Sequence, residues 1–481
     1  MVTTLVKSLR LACSTETSLT SYFPSWPILP FTRSAWRTLK GFVAQNAVRI
    51  SPFGWAMSYP AATSERVLSS RARRQNALSL LFFLCAAFAL LLRFTVSPQV
   101  MNMVVDYTAQ GGSFYEKLHF GTYAIILLLP IVLFSRPFLL HGDEIGIFKA
   151  LIRYSVLMFA LVPYLFVTGR AGSSGFIIDT YLVAGATGLL MLALNAEVRR
   201  ALGGVVLGMA VLSAVIGTIE AVTQHRLLPY GLNELQFRPT GLSAHPLALG
   251  ALCATTIGFV PLTHWRIWAR VMAILLLFIG CAASGARAAL MLATAEILIL
   301  LLFVPWPGLS LKYERQAKFV VLMFTVAGGA VLVAVLFAGG LLNRFSNTIF
   351  DENFMARVTI YQVFGLVSWN DILFGMNVDD LLAIVRQKLH LPYIESAPVV
   401  IILLFGLPIA LLFTALIFWF VFRLLRGAPL PAWIGTITFL LAALSNNALS
   451  SKTPDMTIIV VLLLAYRDQS SVAALKPAGS R

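Results

Sequence analysis

The chain has 481 residues, 59% of them hydrophobic and 12% charged, with a net charge of +16 and a mean hydropathy of +0.85. That balance excludes a soluble globular protein, which needs far more polar surface to cover itself. The positive charge lies mostly in the N-terminal arm and in short loops, the distribution that orients a membrane protein, so nucleic acid is excluded as a partner.

Residues 1–76 carry ten Lys and Arg, among them Arg71, Arg73 and Arg74. No apolar run follows a short basic start, so this is not a cleaved signal peptide, and the composition predicts a disordered cytoplasmic arm. Met57 opens a shorter basic lead and offers an alternative start. Apolar runs near 20 residues, long enough to cross a hydrocarbon core as helix, then place spans at 77–95, 119–140, 148–168, 176–195, 201–222, 246–263, 267–283, 286–306, 317–338, 398–422, 431–448 and 453–466. The expected fold is all-α: a polytopic membrane protein of about 10–12 transmembrane helices. Its parts are the arm (1–76), transmembrane helices 1–9 (77–338), a large loop (339–397), the C-terminal transmembrane helices (398–466) and a cytoplasmic tail (467–481). The glycine pairs at 203–204, 328–329 and 339–340 are read as sites of close helix contact or turns.

With the N-terminus inside, the cytoplasmic loops hold Arg136, Lys149, Arg199, Arg200, Arg266, Arg270, Lys312, Arg315, Lys318, Arg423 and Arg426, as the positive-inside rule expects. Two outer segments stand apart, 223–245 and 339–397. Long loops are commonly functional. In the second, Asp351-Glu352 and Asp379-Asp380 each precede an amphipathic stretch, and Phe354, Val358, Tyr361 and Leu366 fall near one helical face. Two short helices lying at the membrane–water interface are expected there.

Charged and polar residues collect at the outer ends of the spans. Arg238 opens RPTGLSAHP, which ends in His245-Pro246; Arg287 follows the tight Ser284-Gly285-Ala286 link; Arg357 and Glu395 lie in the large loop. Arginine stays charged and forks onto phosphate oxygens, so such a set suits a lipid-linked diphosphate whose charge grows as its bond to a sugar breaks. Glu395 or His245 would then take the proton from an attacking hydroxyl. Plainer readings stand beside these. An arginine at a span end is commonly a snorkelling anchor, Glu395 a helix N-terminal carboxylate, His245-Pro246 a helix start, and Asp379-Asp380 a cap rather than a metal pair. Asp179 and Glu220, near outer span ends, are candidates to line the same cavity, while Glu296 falls mid-span, where an ionisable group is functional by default or pairs with a neighbouring helix. The cysteines, Cys13, Cys85, Cys253 and Cys281, form no disulfide or metal framework.

The chain resembles the O-antigen ligase and Wzy-type polysaccharide polymerase family. The resemblance rests on FRPTGLSAHPLALGAL at 237–252, CAASGARAALMLATAEILILLL at 281–302, and ARVTIYQ, NDILFGMN and ESAPVVIILLFGLPIALL in and after the large loop, covering about residues 175–425. It implies an all-helical membrane glycosyltransferase of the bacterial inner membrane, its site on the periplasmic face under the large loop. Such enzymes use an undecaprenyl-diphosphate-linked glycan donor and an acceptor glycan or lipid A-core, with no cofactor or metal. Arg238 and Arg287 match the family positions that contact the carrier diphosphate. Many ligases carry a histidine where this chain has Glu395-Ser396, which points to a polymerase, with Glu395 as base and Arg357 assisting binding. Membrane lipid, an upstream flippase and a chain-length regulator are the implied partners. The alternatives are a ligase acting on lipid A-core and, as a different class, a polysaccharide or lipid transporter, for which midplane groups such as Glu296 would matter.

Overall fold

The computed structural model describes residues 61–108, 117–135, 140, 142–230, 237–305, 310–338, 352–391, 394, 396–445 and 447–467. The chain divides into two units, Met1–Leu78 and Ser79–Arg481. Of the first, the described part (61–78) is helical. Residues 61–76, expected to be disordered, are instead the start of the helix Ala61–Thr95; the rest of the arm, 1–60, and the tail 468–481 lie outside the described residues, as do Arg136 and Asp351.

Every regular element among the described residues is helical. In chain order the bundle comprises α1 (Ala61–Thr95), α2 (Phe120–Ser135), α3 (Asp143–Val167), α4 (Ala171–Ala193, with a π-helical stretch at Ile177–Leu182), α5 (Ala196–Thr223), α6 (Pro246–Ile257), α7 (Ile267–Ala283), α8 (Arg287–Phe303) and α9 (Leu311–Ala338). A run of short helices follows: α10 (Glu352–Thr359), α11 (Trp369–Phe374), α12 (Val378–Lys388) and α13 (Ala397–Phe405). The chain ends with α14 (Leu407–Leu425), α15 (Leu430–Leu444) and α16 (Asp455–Tyr466). Five helical stretches are long and apolar enough to cross a membrane: Gln75–Thr95, Asp143–Val167, Ala171–Ala193, Ala196–Thr223 and Leu407–Leu425. Five more, α2, α6, α7, α15 and α16, are apolar but shorter. This is an all-α polytopic membrane protein.

Burial explains the short last helix. Met456 to Tyr466 are all buried, because α16 sits inside the bundle against α4 and α5. A helix covered on every side needs no polar face and no lipid-facing length. Gly203 on α5 lets α16 approach closely, since a Cβ there would strike Ala465 and Tyr466. Gly328 and Gly329 on α9, by contrast, face open space, so that pair makes no close contact among the described residues.

The span expected at 398–422 is two helices. α13 ends at Phe405, and Gly406, with φ +81°, turns the chain before α14 begins. A β-carbon at Gly406 would meet the Leu373 carbonyl, so both the backbone conformation and the space require glycine. The structural reason for the break is that α13 serves two cores. Val399 and Leu403 pack with Ile360, Val363, Ile372, Leu381 and Val385 of the short helices, while Ile401, Leu404 and Phe405 join the main bundle core.

The loop helices also differ from expectation. α10 passes into a 3-10 stretch, Ile360–Gly365, whose buried residues are Ile360 and Val363; Val358, Tyr361 and Leu366 are exposed. The inward face is therefore not the one the apolar spacing marked. α12 starts as expected with Asp379 and Asp380 in its first turn, but its cap is Asn377, whose side chain accepts from the Asp379 N–H. A third helix, α11, was not expected. It opens on a capping box in which Ser368 and Asp371 exchange hydrogen bonds, a signal legible in Ser368-Trp369-Asn370-Asp371.

Candidate functional site

Segment 237–245, which leads into α6, is built around a buried carboxylate. Glu220, in the last turns of α5, accepts from the Leu227, Thr240 and Gly241 N–H groups, each at 2.8 Å. Gly241 (φ +55°) lies so close to the Ser213 carbonyl that no side chain fits. Ser213 Oγ accepts from Leu242 N–H. The loop is thus held on α5 by main-chain bonds, leaving its side chains to face elsewhere.

Arg226 is the link that sequence reasoning missed. Its Nε and a terminal nitrogen donate to the Arg238 carbonyl at 3.1 and 2.9 Å, and its guanidinium lies 4.0 Å from the centre of the Tyr230 ring and 4.9 Å from that of Phe237. The Tyr–Arg–Phe stacking joins residues four and eleven apart in an irregular segment, where no periodicity marks it. Arg238 Nε in turn donates to the Ser284 carbonyl at 3.3 Å. Ser284 belongs to the turn that ends α7, and Arg287 is the first residue of α8 immediately beyond it. Arg238 and Arg287, 49 positions apart in sequence, are therefore held at one corner.

His245 caps α6, its Nδ1 accepting from the Leu247 N–H at 3.2 Å. Its other ring nitrogen consequently carries the proton when the ring is neutral. Burial, then the charges of Arg238, Arg226 and Arg357, push the imidazole down to about 4. Arg357, on α10, thus belongs to the same electrostatic neighbourhood. Four of the five expected site residues, His245, Arg238, Arg287 and Arg357, gather at one end of the bundle. Glu395 lies outside the described residues. Its neighbours are anchored: Ile394 is buried in the core of the short helices, and Ser396 Oγ donates to Tyr361 Oη at 3.3 Å.

Asp179 and Glu220 do not line this corner. Glu220 is spent on the loop, and Asp179, in the π-helical stretch, accepts from Tyr107 Oη and Thr122 Oγ1, each at 2.7 Å, and from the His119 N–H. Both are structural acceptors whose main-chain partners sequence does not display. Arg170, also unsingled in the sequence, donates to the carbonyls of Leu404 (2.7 Å), Phe374 and Gly375 (both 2.8 Å), fastening the ends of α11 and α13 to the bundle. Glu296, fully buried on α8, packs against Gly258. Among the described residues no group of three His, Cys, Asp or Glu is arranged to hold a metal.

Compared with known proteins, the chain matches no protein-family model and no curated protein.

Proposed function

We propose that the chain is a polysaccharide polymerase of the bacterial inner membrane, transferring glycan from an undecaprenyl-diphosphate carrier to an acceptor glycan at the periplasmic face. The N-terminus would lie in the cytoplasm, with a flippase delivering substrate and a chain-length regulator acting on product. One observation carries the reading: the charges of Arg238, Arg226 and Arg357 all act on His245, and Arg238 bonds the turn from which Arg287 opens α8. Arginines set together at one membrane edge suit an anionic ligand, and a diphosphate held by arginines is a good leaving group without metal.

In the reaction Glu395 takes the proton of the acceptor hydroxyl. The hydroxyl oxygen attacks the anomeric carbon of the donor sugar, and the bond from that carbon to the diphosphate oxygen breaks with its electron pair leaving on the carrier. Arg238 and Arg287 hold the diphosphate and Arg357 assists. His245, its second ring nitrogen protonated, donates a hydrogen bond to a phosphate or sugar oxygen rather than acting as the base. The ligase alternative shares this donor chemistry and differs only in taking lipid A-core as acceptor.

The test is glycan sizing in a strain whose only copy is Arg287→Ala. Loss of polymer, with single repeat units left on the carrier and the protein still in the membrane, is expected. Normal polymer overturns the site, and full-length chains stranded on the carrier make the protein a ligase. The buried Glu296, with neither oxygen in a hydrogen bond of regular geometry among the described residues, favours transport as a second reading. Transport would depend on Glu296 and transfer on Glu395, so comparing substitutions at the two positions separates them.

A further inference from the structure

A second cluster of charge lines a cleft beside segment 237–252, and Arg226, Arg238, Arg287 and Arg357 are not among its lining residues. This cleft of about 60 Å³ is lined by Arg93 at the end of α1, by Ser97, by Ser213 of α5, by Ser243 and Ala248, and by Lys452 and Asp455 at the start of α16. Its remaining walls are apolar, with Phe94, Met209, Leu252 and Ile458 among them. That volume holds roughly four water molecules, about the bulk of one phosphate group. A smaller recess of about 10 Å³ adjoins it, sharing Leu252, Asp455 and Ile458 and adding Thr255 of α6 and Phe439 of α15. That is space for one water, or one ammonium group.

The cleft is charged where burial is deepest. Arg93 is 3% exposed. One of its terminal nitrogens donates to the Asp179 carbonyl at 3.0 Å, but its Nε has no partner among the described residues. A buried guanidinium N–H without an acceptor is costly unless a ligand supplies one. Lys452 donates to the carbonyls of Tyr107 (3.0 Å) and Lys117 (2.8 Å), and burial draws its ammonium down to about 8, the mark of a cation short of solvation. The Asp179 carboxylate, bonded by Tyr107, Thr122 and His119, acts on Lys452 through its charge but leaves the Arg93 Nε without an acceptor. Asp455 faces both the cleft and the recess. Arg93 also acts on Asp455, so the cluster already holds both signs, and a ligand that carries both fits it: an anion at the open Arg93 Nε and Lys452, and a cation in the recess beside Asp455 and the Phe439 ring.

We propose that this cleft binds the phosphoethanolamine head group of a membrane lipid, with the phosphate at Arg93 and Lys452, the ammonium in the recess between Asp455 and Phe439, and the acyl chains along the apolar wall. The inference is independent of the transfer reaction.

The test is native mass spectrometry of the purified full chain, titrated in detergent with dioleoylphosphatidylethanolamine or dioleoylphosphatidylglycerol. The native protein is expected to retain one phosphatidylethanolamine with about a tenfold preference, the scale of one charge-assisted contact. Asp455→Asn should equalise the two lipids, and Phe439→Leu should narrow the gap. Ala248→Phe, which fills the cleft without altering charge, should release the bound lipid while the size-exclusion profile stays unchanged. Soluble glycerophosphoethanolamine should compete poorly for want of acyl chains; competition as strong as the lipid's would overturn a lipid ligand. Equal retention of both lipids by the native protein overturns the proposal. So does a preference that survives both Phe439→Leu and Ala248→Phe, two variants that decide the matter even if Asp455→Asn fails to fold.

Discussion

Arg226 grips the main-chain carbonyl of Arg238 through two nitrogens, at 3.1 and 2.9 Å, and so fixes the backbone from which the Arg238 side chain reaches Ser284. One arginine positions another, and neither is a simple snorkelling anchor, because both guanidinium groups point at protein carbonyls. Lysine cannot reproduce a forked grip or the stacking on Tyr230. In membrane vesicles, Arg226→Lys should therefore lower glycan transfer by about 10- to 100-fold, the scale of losing one or two charge-assisted bonds. A variant with native transfer rates would remove Arg226 from the site.

His245 makes stability, rather than transfer, depend on pH on the acid side. Its folded imidazole takes up a proton only near 4, whereas an unfolded one does so near 6.5. The unfolded chain thus binds more protons between those values, and stability falls as pH drops from 6.5 towards 4, with no contribution from this residue above 6.5. Transfer itself should show no inflection near 6.5, and the acid limb should follow a carboxylate. An inflection at 6.5 that vanishes in His245→Asn would restore histidine as the base.

The broad plan of the protein was readable because hydropathy and loop charge report directly on which stretches leave water. Arg238, Arg287, His245 and Arg357 stand out in the sequence because ionisable residues are conspicuous beside apolar stretches, while the bond from Arg238 to the Ser284 carbonyl is visible only in the structure. What sequence hides is which buried acid meets which backbone N–H. Glu220 and Asp179 look like cavity residues until Thr240, Gly241 and His119 are seen to occupy them. Arg170 and Arg226 act on carbonyls more than 200 and 12 residues away respectively, and a carbonyl has no signature in sequence. The break at Gly406 escaped because α13 is as apolar as the span that follows it.

Glu220 offers a clean test of the loop's foundation. It is 2% exposed, and its two oxygens take three main-chain N–H bonds. Glutamine keeps the shape but turns an amide donor towards at least one of those N–H groups. Leaving a buried donor unsatisfied costs about 1–3 kcal/mol. Glu220→Gln should lower the apparent melting temperature in detergent, followed by tryptophan fluorescence, by roughly 1–4 °C. An unchanged melting curve would mean the segment is held mainly by its side chains.

Arg170 tests whether the short helices are a seated cover or a loose appendage. Its three bonds end on Phe374, Gly375 and Leu404, carbonyls at the C-termini of α11 and α13, where the helix dipole is negative and a cation is most effective. Tyr164 Oη adds a fourth bond, to the Phe405 carbonyl at 2.8 Å. Arg170→Ala removes the first three and leaves the last, so the bundle should stay folded while the layer from α10 to α13 opens more often. Limited proteolysis in detergent should then cut within 352–396 about tenfold faster than in the native protein, with the α14–α16 fragment intact; an opening cost lowered by one charge-assisted bond has that size. Because Arg357 rides on this layer, transfer should fall together with protection. Faster cleavage with full transfer would show that α10 has no part in the site, and unchanged cleavage would show that Tyr164 and the shared apolar core suffice to hold the layer down.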